Sequence, residues 1–330
     1  LSLGAMNFLS GLDRGFDHAS DRSEDDRAFR RDDAETLEMA LDWLADQDGE
    51  TPLFLLLHLY DVHSPHLPTP ASRAAMGDYS GELADGISVE TLYNDSQKFV
   101  DRPDDLEALR WLYSGEAAEA DDRAGRFLAA LDAAGILDDS VVVFLADHGQ
   151  GLGENAYFGH GPTLEQTVLH VPLIVRDFRA PPDGRRVTDN AGLVDVAPTL
   201  LALAGLPHDD LPGRDLLAGE PPREPPAYLS EVEQRSGQTE YRPEWFDDEA
   251  LAVFFDDFKL VDAEGEQRLY RLTGDRGDVL EPAADDALHP ALRAWLVDLM
   301  AAYRDGTLDS ERADLDAEAV EQLRSLGYIQ

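Results

Sequence analysis

Long apolar runs alternate with amphipathic stretches along the chain, and this alternation predicts an α/β fold. Residues 53–59 and 141–146 consist almost wholly of Leu, Val and Phe, as in strands that are buried on both faces of a parallel sheet. Before these runs, residues 32–46 and 104–134 repeat apolar side chains at helical spacing. Because a helix followed by a buried strand is the repeating unit of a doubly wound sheet, we expect a mostly parallel sheet with helices on both faces.

A proline-rich stretch at residues 219–226 divides the chain. Residues 1–225 are expected to form the α/β core, and residues 226–330 a smaller α+β subdomain with an antiparallel sheet and a helix. Residues 1–26 and 71–102 lack periodicity, so we interpret the first as loop and the second as a surface excursion that shapes a substrate mouth. Further helices are predicted over 163–170, 193–205, 289–303 and 317–325, and further strands over 171–175, 251–255, 258–261 and 268–272.

The chain is strongly acidic. It has 68 Asp and Glu against 27 Lys and Arg, for a net charge of −41, while 43% of its residues are hydrophobic. This apolar content predicts a folded core under an acidic surface. Only Lys98 and Lys259 are lysines, and the composition is typical of proteins from a high-salt cytoplasm, as in halophilic archaea, where salt screens self-repulsion. The lack of a basic stripe argues against nucleic acid as a partner.

The sequence contains no cysteine, which excludes disulfides, thiolate metal sites and a cysteine nucleophile within these residues. No stretch resembles a secretory signal or a run of about 20 apolar residues, so no membrane association is expected and a cytoplasmic location is predicted. The chain begins at Leu1 rather than Met, which leads us to expect a fragment of a longer protein. The pattern indicates no particular oligomeric state.

Polar side chains with metal-binding or acid–base chemistry follow the two long apolar runs. His63 and His66 follow the first run, and Asp147 and His148 follow the second. Ligands of open α/β sheets bind beyond the carboxyl ends of the strands, so these side chains are candidates for a metal or oxyanion site. An ordinary polar strand end explains the Asp-His-Gly segment, taken alone, equally well. His58 lies inside the first run and is interpreted as a core histidine.

Several separated motifs occur along the chain in a fixed order. They are Gly15-Phe16-Asp17, Phe54 through His63-Ser64-Pro65, Ala146-Asp147-His148-Gly149, Gly159-His160-Gly161, Val171-Pro172-Leu173-Ile174, Val194 through Leu200, Lys259-Leu260, Leu269-Tyr270 and Leu323 through Tyr328. In this order, and over nearly the whole chain, they resemble the sulfatase family of the alkaline phosphatase superfamily. The resemblance implies an alkaline phosphatase-like α/β fold.

The resemblance also implies roles for five residues. Asp147 and His148 would be metal ligands, with His148 where many relatives have Asn. The family commonly uses Ca²⁺ or Mg²⁺, whereas an imidazole ligand shifts preference toward Mn²⁺. His63 and His160 would contact the sulfate oxygens, and one of them could protonate the leaving alcohol. His66 would bind substrate at a position where the family usually has Tyr.

The chain departs from the family at its nucleophile. The family's mechanism resembles nucleophilic catalysis by a formylglycine hydrate, which is made from the first residue of a Cys/Ser-x-Pro-x-Arg motif. This chain has no Cys, and its Pro-x-Arg triplets at Pro212 and Pro221 are preceded two residues upstream by Asp210 and Gly219. The family's first strand with its paired Asp ligands is also missing. We therefore expect formylglycine in a missing N-terminal region, and we expect this chain alone to be inactive.

The resemblance implies a sulfuric ester hydrolase whose partner is a sulfated small molecule or glycan. A phosphodiester or phosphonate monoester hydrolase of the same superfamily is an alternative, because these relatives share the Asp-His metal pair. A degenerate relative that binds an anion or a protein partner without catalysis is a further alternative. Against it, the chain retains His63, Asp147, His148 and His160.

Overall fold

The computed structural model describes most of the chain. The residues it describes are 2–3, 14–20, 32–160, 163–182, 184–218, 227–233, 249–263, 265–273, 279–284 and 287–306. The predicted helix over 317–325 therefore lies outside the described residues. Within these ranges no helix is long and apolar enough to cross a membrane.

Twelve strands and six α-helices are found in the described part of the chain. The strands are β1 (Ser2–Leu3), β2 (Ala19–Ser20), β3 (Leu56–Leu57), β4 (Val141–Leu145), β5 (Gly151–Leu152), β6 (Phe158–Gly159), β7 (Leu173–Asp177), β8 (Ala227–Glu233), β9 (Glu249–Phe255), β10 (Phe258–Ala263), β11 (Glu266–Thr273) and β12 (Val279–Pro282). The α-helices are α1 (Asp33–Ala45), α2 (Pro70–Arg73), α3 (Pro103–Ala133), α4 (Gln166–Leu169), α5 (Val196–Leu203) and α6 (Pro290–Arg304).

The chain divides into two compact units, each made of several segments. The first unit comprises Leu1–Phe144, Leu152–Gly159 and Leu173–Asp183, and the second comprises Leu145–Gly151, His160–Pro172 and Gly184–Gln330. The predicted boundary near residue 225 falls inside the second unit, which also takes up segments from the middle of the chain.

Parallel pairing is observed at the start of the chain. Strand β1 lies between β2 and β3, with Ser2 opposite both Ala19 and Leu56. The prediction of loop throughout residues 1–26 is therefore wrong at β1 and β2, which are too short to show a period. Strand β4 pairs with β7 in a separate two-stranded sheet. The wider doubly wound sheet stays a prediction.

One face of these strands packs against helices in the first unit. Helices α1 and α3 bury Leu37, Ala40, Phe127 and Leu131, and Leu55, Leu57, Leu59 and Val142 pack against this cluster. The strand side chains that alternate with them are exposed, with Phe54 at 61%, Phe144 at 49% and Ile174 at 59%. The expectation that both faces are buried is therefore wrong for these three exposed side chains, while helices on both faces of the wider sheet stay a prediction.

The segment 71–102 is part of the core of the first unit. It folds into short helical turns and buries Leu83, Ile87, Leu92 and Phe99 against α3. Its interpretation as a surface excursion is therefore wrong, because these short turns bury apolar residues without a regular period.

The second unit contains the predicted C-terminal antiparallel sheet. Its five strands lie in the order β12-β11-β10-β9-β8, with Leu260 of β10 opposite Val253 of β9 and Leu269 of β11. Helix α6 packs Leu292, Leu296 and Leu299 on this sheet. The prediction of an antiparallel sheet with a helix is confirmed.

Candidate functional site

The loop after β4 carries Asp147 and His148 in the second unit. The backbone N–H of His148 donates to Oδ1 of Asp147 at 2.9 Å, and Nδ1 of His148 lies 2.9 Å from the carbonyl oxygen of Gly149. Because a carbonyl oxygen only accepts, that contact places a proton on Nδ1 and, in the neutral ring, a lone pair on Nε2. Nε2 lies 3.8 Å from Oδ2 of Asp147, so both ligand atoms point to one place.

His160 lies beside this pair in the same unit. Its ring stacks on that of His148 with 4.2 Å between centroids and an interplanar angle of 22°. Nδ1 of His160 lies 3.0 Å from Oε1 of Gln150. The structure thus brings together three predicted site residues, Asp147, His148 and His160, and adds Gln150. The only sequence signal for Gln150 was its place two residues after His148.

Gly149 allows this loop to lie against the segment that follows His160. Its N–H donates to the carbonyl oxygen of Val168 at 2.7 Å. A Cβ at position 149 would lie 2.1 Å from the carbonyl oxygen of Thr167, which no residue with a side chain can accommodate without movement. The glycine of the Asp-His-Gly motif is therefore required by close backbone approach.

His63 belongs to the first unit, where both its backbone and its ring are held. Its backbone N–H donates to the carbonyl oxygen of Tyr60 at 2.9 Å, and its ring Nδ1 lies 2.7 Å from the carbonyl oxygen of Ser64. The Tyr60 ring stacks on it with centroids 4.3 Å apart and an interplanar angle of 20°. As at His148, the carbonyl oxygen accepts a hydrogen bond from Nδ1–H, so in the neutral ring the lone pair lies on Nε2.

His66 is a correction to the predicted site. Its ring is fully buried, with 0% exposed area, and its Nδ1 lies 2.7 Å from Oε2 of Glu116. A ring enclosed in this way cannot reach a dissolved substrate in this conformation, so the geometry gives His66 a structural role. The family position is usually Tyr, and the sequence alone contained no signal that α3 would supply a carboxylate to this histidine.

Two buried acids that the sequence reasoning missed bind the loop that carries His63. They are Asp33 of α1 and Glu116 of α3, which are 1% and 5% exposed. Burial is the main cause that raises the pKa of Asp33 to about 6, and the neighbouring Asp61 adds to the rise, while hydrogen bonds from Tyr60 and Asp61 oppose it. Charged residues on helices usually face solvent, so neither acid stood out in the sequence.

A model of the sulfatase family matches residues 6–206. This chain belongs to the sulfatase family. The match covers more than half of the chain and includes all five predicted site residues.

Individual sulfatase-family relatives agree with this assignment. The multifunctional alkaline phosphatase superfamily protein PehA of Trinickia caryophylli is 27% identical over 205 residues, which is 54% of this chain and 39% of the relative. The steryl-sulfatase of Mus musculus is 37% identical over 126 residues, which is 33% of this chain and 20% of the relative. The chain therefore spans about two fifths or less of the length of these curated relatives.

Solved structures show the fold. The phosphonate monoester hydrolase of Agrobacterium radiobacter superposes with a TM-score of 0.64 at 23% identity, over 91% of this chain and 65% of that one. The protein BT4656, in complex with its substrate D-glucosamine-2-N,6-O-disulfate, gives a TM-score of 0.61 at 20% identity, over 83% and 69%. These likenesses establish an alkaline phosphatase-like α/β fold.

Sulfatases are generally metal-dependent, and the pair Asp147 and His148 fits a divalent cation as two of its ligands. The carboxylate is 71% exposed and the imidazole 36%, so both are accessible. A ligating histidine typically donates its other N–H to a carbonyl or carboxylate, as His148 does to Gly149. Among the described residues, no group of three or more His, Asp or Glu side chains is placed to hold a metal by itself.

Formylglycine, which is typical of the family, does not fit these 330 residues. The sequence has no Cys, and none of its Ser residues begins a Ser-x-Pro-x-Arg motif. No step of the reaction is therefore assigned to such a group here.

Proposed function

We propose that this protein takes part in the hydrolysis of a sulfate monoester at a divalent metal site. The observation that carries the proposal is the cluster of Asp147, His148 and His160, in which both imidazoles commit Nδ1 to a fixed acceptor. Such anchoring orients the opposite nitrogen of each ring, which is the requirement for a metal ligand or an acid–base group.

Asp147 and His148 would hold the cation, with Ca²⁺, Mg²⁺ or Mn²⁺ as candidates. The bound cation supplies positive charge that stabilises an oxyanion. His160 would contact a sulfate oxygen through Nε2, and Gln150 would keep its ring in place. His63, oriented by Ser64 and Tyr60, would contact sulfate or donate a proton to the leaving alcohol.

A sulfated small molecule or glycan is the proposed substrate class. The similarity to steryl-sulfatase supports the sulfate monoester. The fold shared with a protein that takes D-glucosamine-2-N,6-O-disulfate is compatible with a sulfated sugar. The fold shared with the phosphonate monoester hydrolase of Agrobacterium radiobacter is compatible with phosphonate monoesters and phosphodiesters as a second candidate class.

Metal titration of the 330-residue chain tests the site without requiring turnover. We expect Mn²⁺ binding by calorimetry, and a loss of affinity of about 10-fold to 100-fold in Asp147→Ala and His148→Ala, which remove the ligand atom. His208→Ala, which changes a histidine outside the cluster, is the matched control. Equal affinities in all four proteins would contradict the assignment of the ligands.

The substrate class is tested by turnover of the protein isolated from its cells of origin. We expect release of 4-nitrophenol from 4-nitrophenyl sulfate to exceed release from 4-nitrophenyl phenylphosphonate. The reverse preference would move the assignment to the phosphonate monoester class. Metal binding without hydrolysis of either ester would favour an anion-binding role.

A further inference from the structure

We propose that Asp33 and Glu116 are positioning residues for His63, each holding one end of the loop 60–67. The proposal rests on the proposed function for the role of His63, but its placement by these acids is measurable without turnover. Each acid uses both of its carboxylate oxygens on the loop, so the segment that carries His63 is tied at two points.

The first tie is at the N-terminal end of the loop. Oδ1 of Asp33 accepts the N–H of Tyr60 at 2.8 Å, and Oδ2 accepts the N–H of Asp61 at 3.0 Å. Asp61 in turn forms an ion pair with Arg123 of α3. The Tyr60 ring stacks on the His63 ring, and the Tyr60 carbonyl accepts the backbone N–H of His63. Fixing the backbone of Tyr60 therefore restrains both the backbone of His63 and the ring that stacks on its imidazole.

The second tie is at the C-terminal end. Oε2 of Glu116 lies 2.7 Å from Nδ1 of His66, and Oε1 accepts the N–H of Leu67 at 2.6 Å. His66 also exchanges two backbone hydrogen bonds with Ile87, at 3.0 and 3.1 Å. Three residues after His63, the chain is therefore held by α3 and by the buried segment 71–102.

These two ties cost folding stability, which argues that the two acids have a role beyond packing in the core. Both carboxylates are almost fully buried, and Nε2 of His66 is buried with no hydrogen-bond partner among the described residues. Buried polar groups without partners cost stability, and apolar residues of similar size would avoid that cost. Asp33, however, fixes two backbone amides in a defined direction, and Glu116 fixes one backbone amide and the His66 imidazole, which apolar contacts cannot do.

Helix α3 offers a matched control for the test. Glu107 lies on the same helix at an exposed position. Replacement of Glu107 by Gln changes charge and helix propensity as Glu116→Gln does. A general effect of removing an acid from α3 would therefore appear in both variants, whereas a positioning effect would appear only in Glu116→Gln.

The experiment follows the His63 imidazole by ¹⁵N NMR of histidine-labelled protein, with the signal assigned from His63→Gln. In Asp33→Asn and Glu116→Gln we expect the His63 titration midpoint to move by about 0.5 unit or more, with a changed tautomer signature. Glu107→Gln should match the parent protein. Folded Asp33→Asn and Glu116→Gln proteins with parental His63 titration and tautomer would overturn the proposal.

Two additions keep the test decisive. If Glu116→Gln does not fold, Glu116→Asp keeps the charge but withdraws the carboxylate by one methylene, and the same shift is expected. Where the isolated protein hydrolyses an ester, these variants should lower kcat by about 10-fold to 100-fold with KM little changed. The His63→Gln variant tests the proposed function separately. Loss of its turnover would support the role of His63 in that function, and retained turnover would refute that role. In either case the NMR result decides whether Asp33 and Glu116 position His63.

Discussion

At the scale of single residues, close backbone approach explains why a glycine follows Asp147 and His148. These two residues are candidate ligands in the sequence because they follow an apolar run, as ligands of α/β sheets commonly do, and their metal binding stays a prediction. Gly149 was part of the same motif, but its reason is visible only in the structure, where Thr167 and Val168 lie directly against it. Contacts between segments that are far apart in sequence leave no local signal.

Substitution of Gly149 by Ala should displace this loop. The new methyl group would lie 2.1 Å from the Thr167 carbonyl oxygen, so we expect destabilisation by about 1–3 kcal/mol together with weaker Mn²⁺ binding. Gly125→Ala in α3, where no atom lies within 4 Å of the added Cβ, should instead stabilise by up to about 1 kcal/mol. Urea denaturation measures both, and equal effects of the two changes would contradict the steric explanation.

At the scale of elements, long periodic segments were predictable and short ones were not. Helix α3 was expected over 104–134 and is found at Pro103–Ala133. Apolar residues at helical spacing over 31 residues predict a helix even where single positions depart from the pattern. The burial of segment 71–102 was not predicted, since its helical turns are too short to show a repeating apolar pattern. The sequence pattern made no prediction for Glu116, because charge alone does not reveal a buried partner such as His66.

The start of α5 shows how a short motif can hold an element in place. Asp195, with 0% exposed area, accepts hydrogen bonds from the N–H groups of Gly192 and Arg214 at 2.9 Å and from the Tyr228 hydroxyl at 2.5 Å. Thr199 donates to the Asp195 carbonyl at 2.7 Å and accepts from the N–H of Leu216 at 2.9 Å. The Asp-x-x-x-Thr spacing within the Val194 to Leu200 motif thus joins α5 to residues 192, 214, 216 and 228.

Removal of the Asp195 carboxylate should therefore loosen the second unit. Asp195→Ala leaves three partly buried donors without their acceptor, and we expect a loss of about 2–4 kcal/mol in the free energy of unfolding. Tyr228→Phe removes one of these bonds and should cost about 1 kcal/mol. Asp209→Ala, at an exposed position, is the control for loss of charge. Denaturant titration that ranks Asp195→Ala with Asp209→Ala would exclude this role.

At the scale of the whole molecule, charge dominates. A net charge of −41 on 330 residues produces self-repulsion that opposes the compact state, and salt shortens the range of that repulsion to about 3 Å at 1 M. Composition predicts the net charge fully, since the net charge depends on the numbers of charged residues and not on their placement. By contrast, the division into two units assembled from several segments has no compositional signal.

The protein should become more stable as salt is added. Between 0.1 M and 2 M KCl at pH 7, we expect the melting temperature to rise by about 5 °C or more, because screening removes repulsion from the folded state. The rise should be smaller at pH 4.5, where fewer carboxylates are charged. Differential scanning calorimetry at both pH values measures it, and a melting temperature independent of KCl at pH 7 would show that repulsion is already balanced.

The interleaving of the two units has a consequence for biosynthesis. Leu164, which lies just after His160, is buried against Ala250, Ala252 and Val261 of the C-terminal sheet. A ribosome adds about 5–20 residues per second, so Leu164 would emerge roughly 4–20 s before its packing partners. During that interval Leu164 and the newly made segment around His160 lack the C-terminal sheet against which they pack, so apolar surface stays exposed to water and to chaperones.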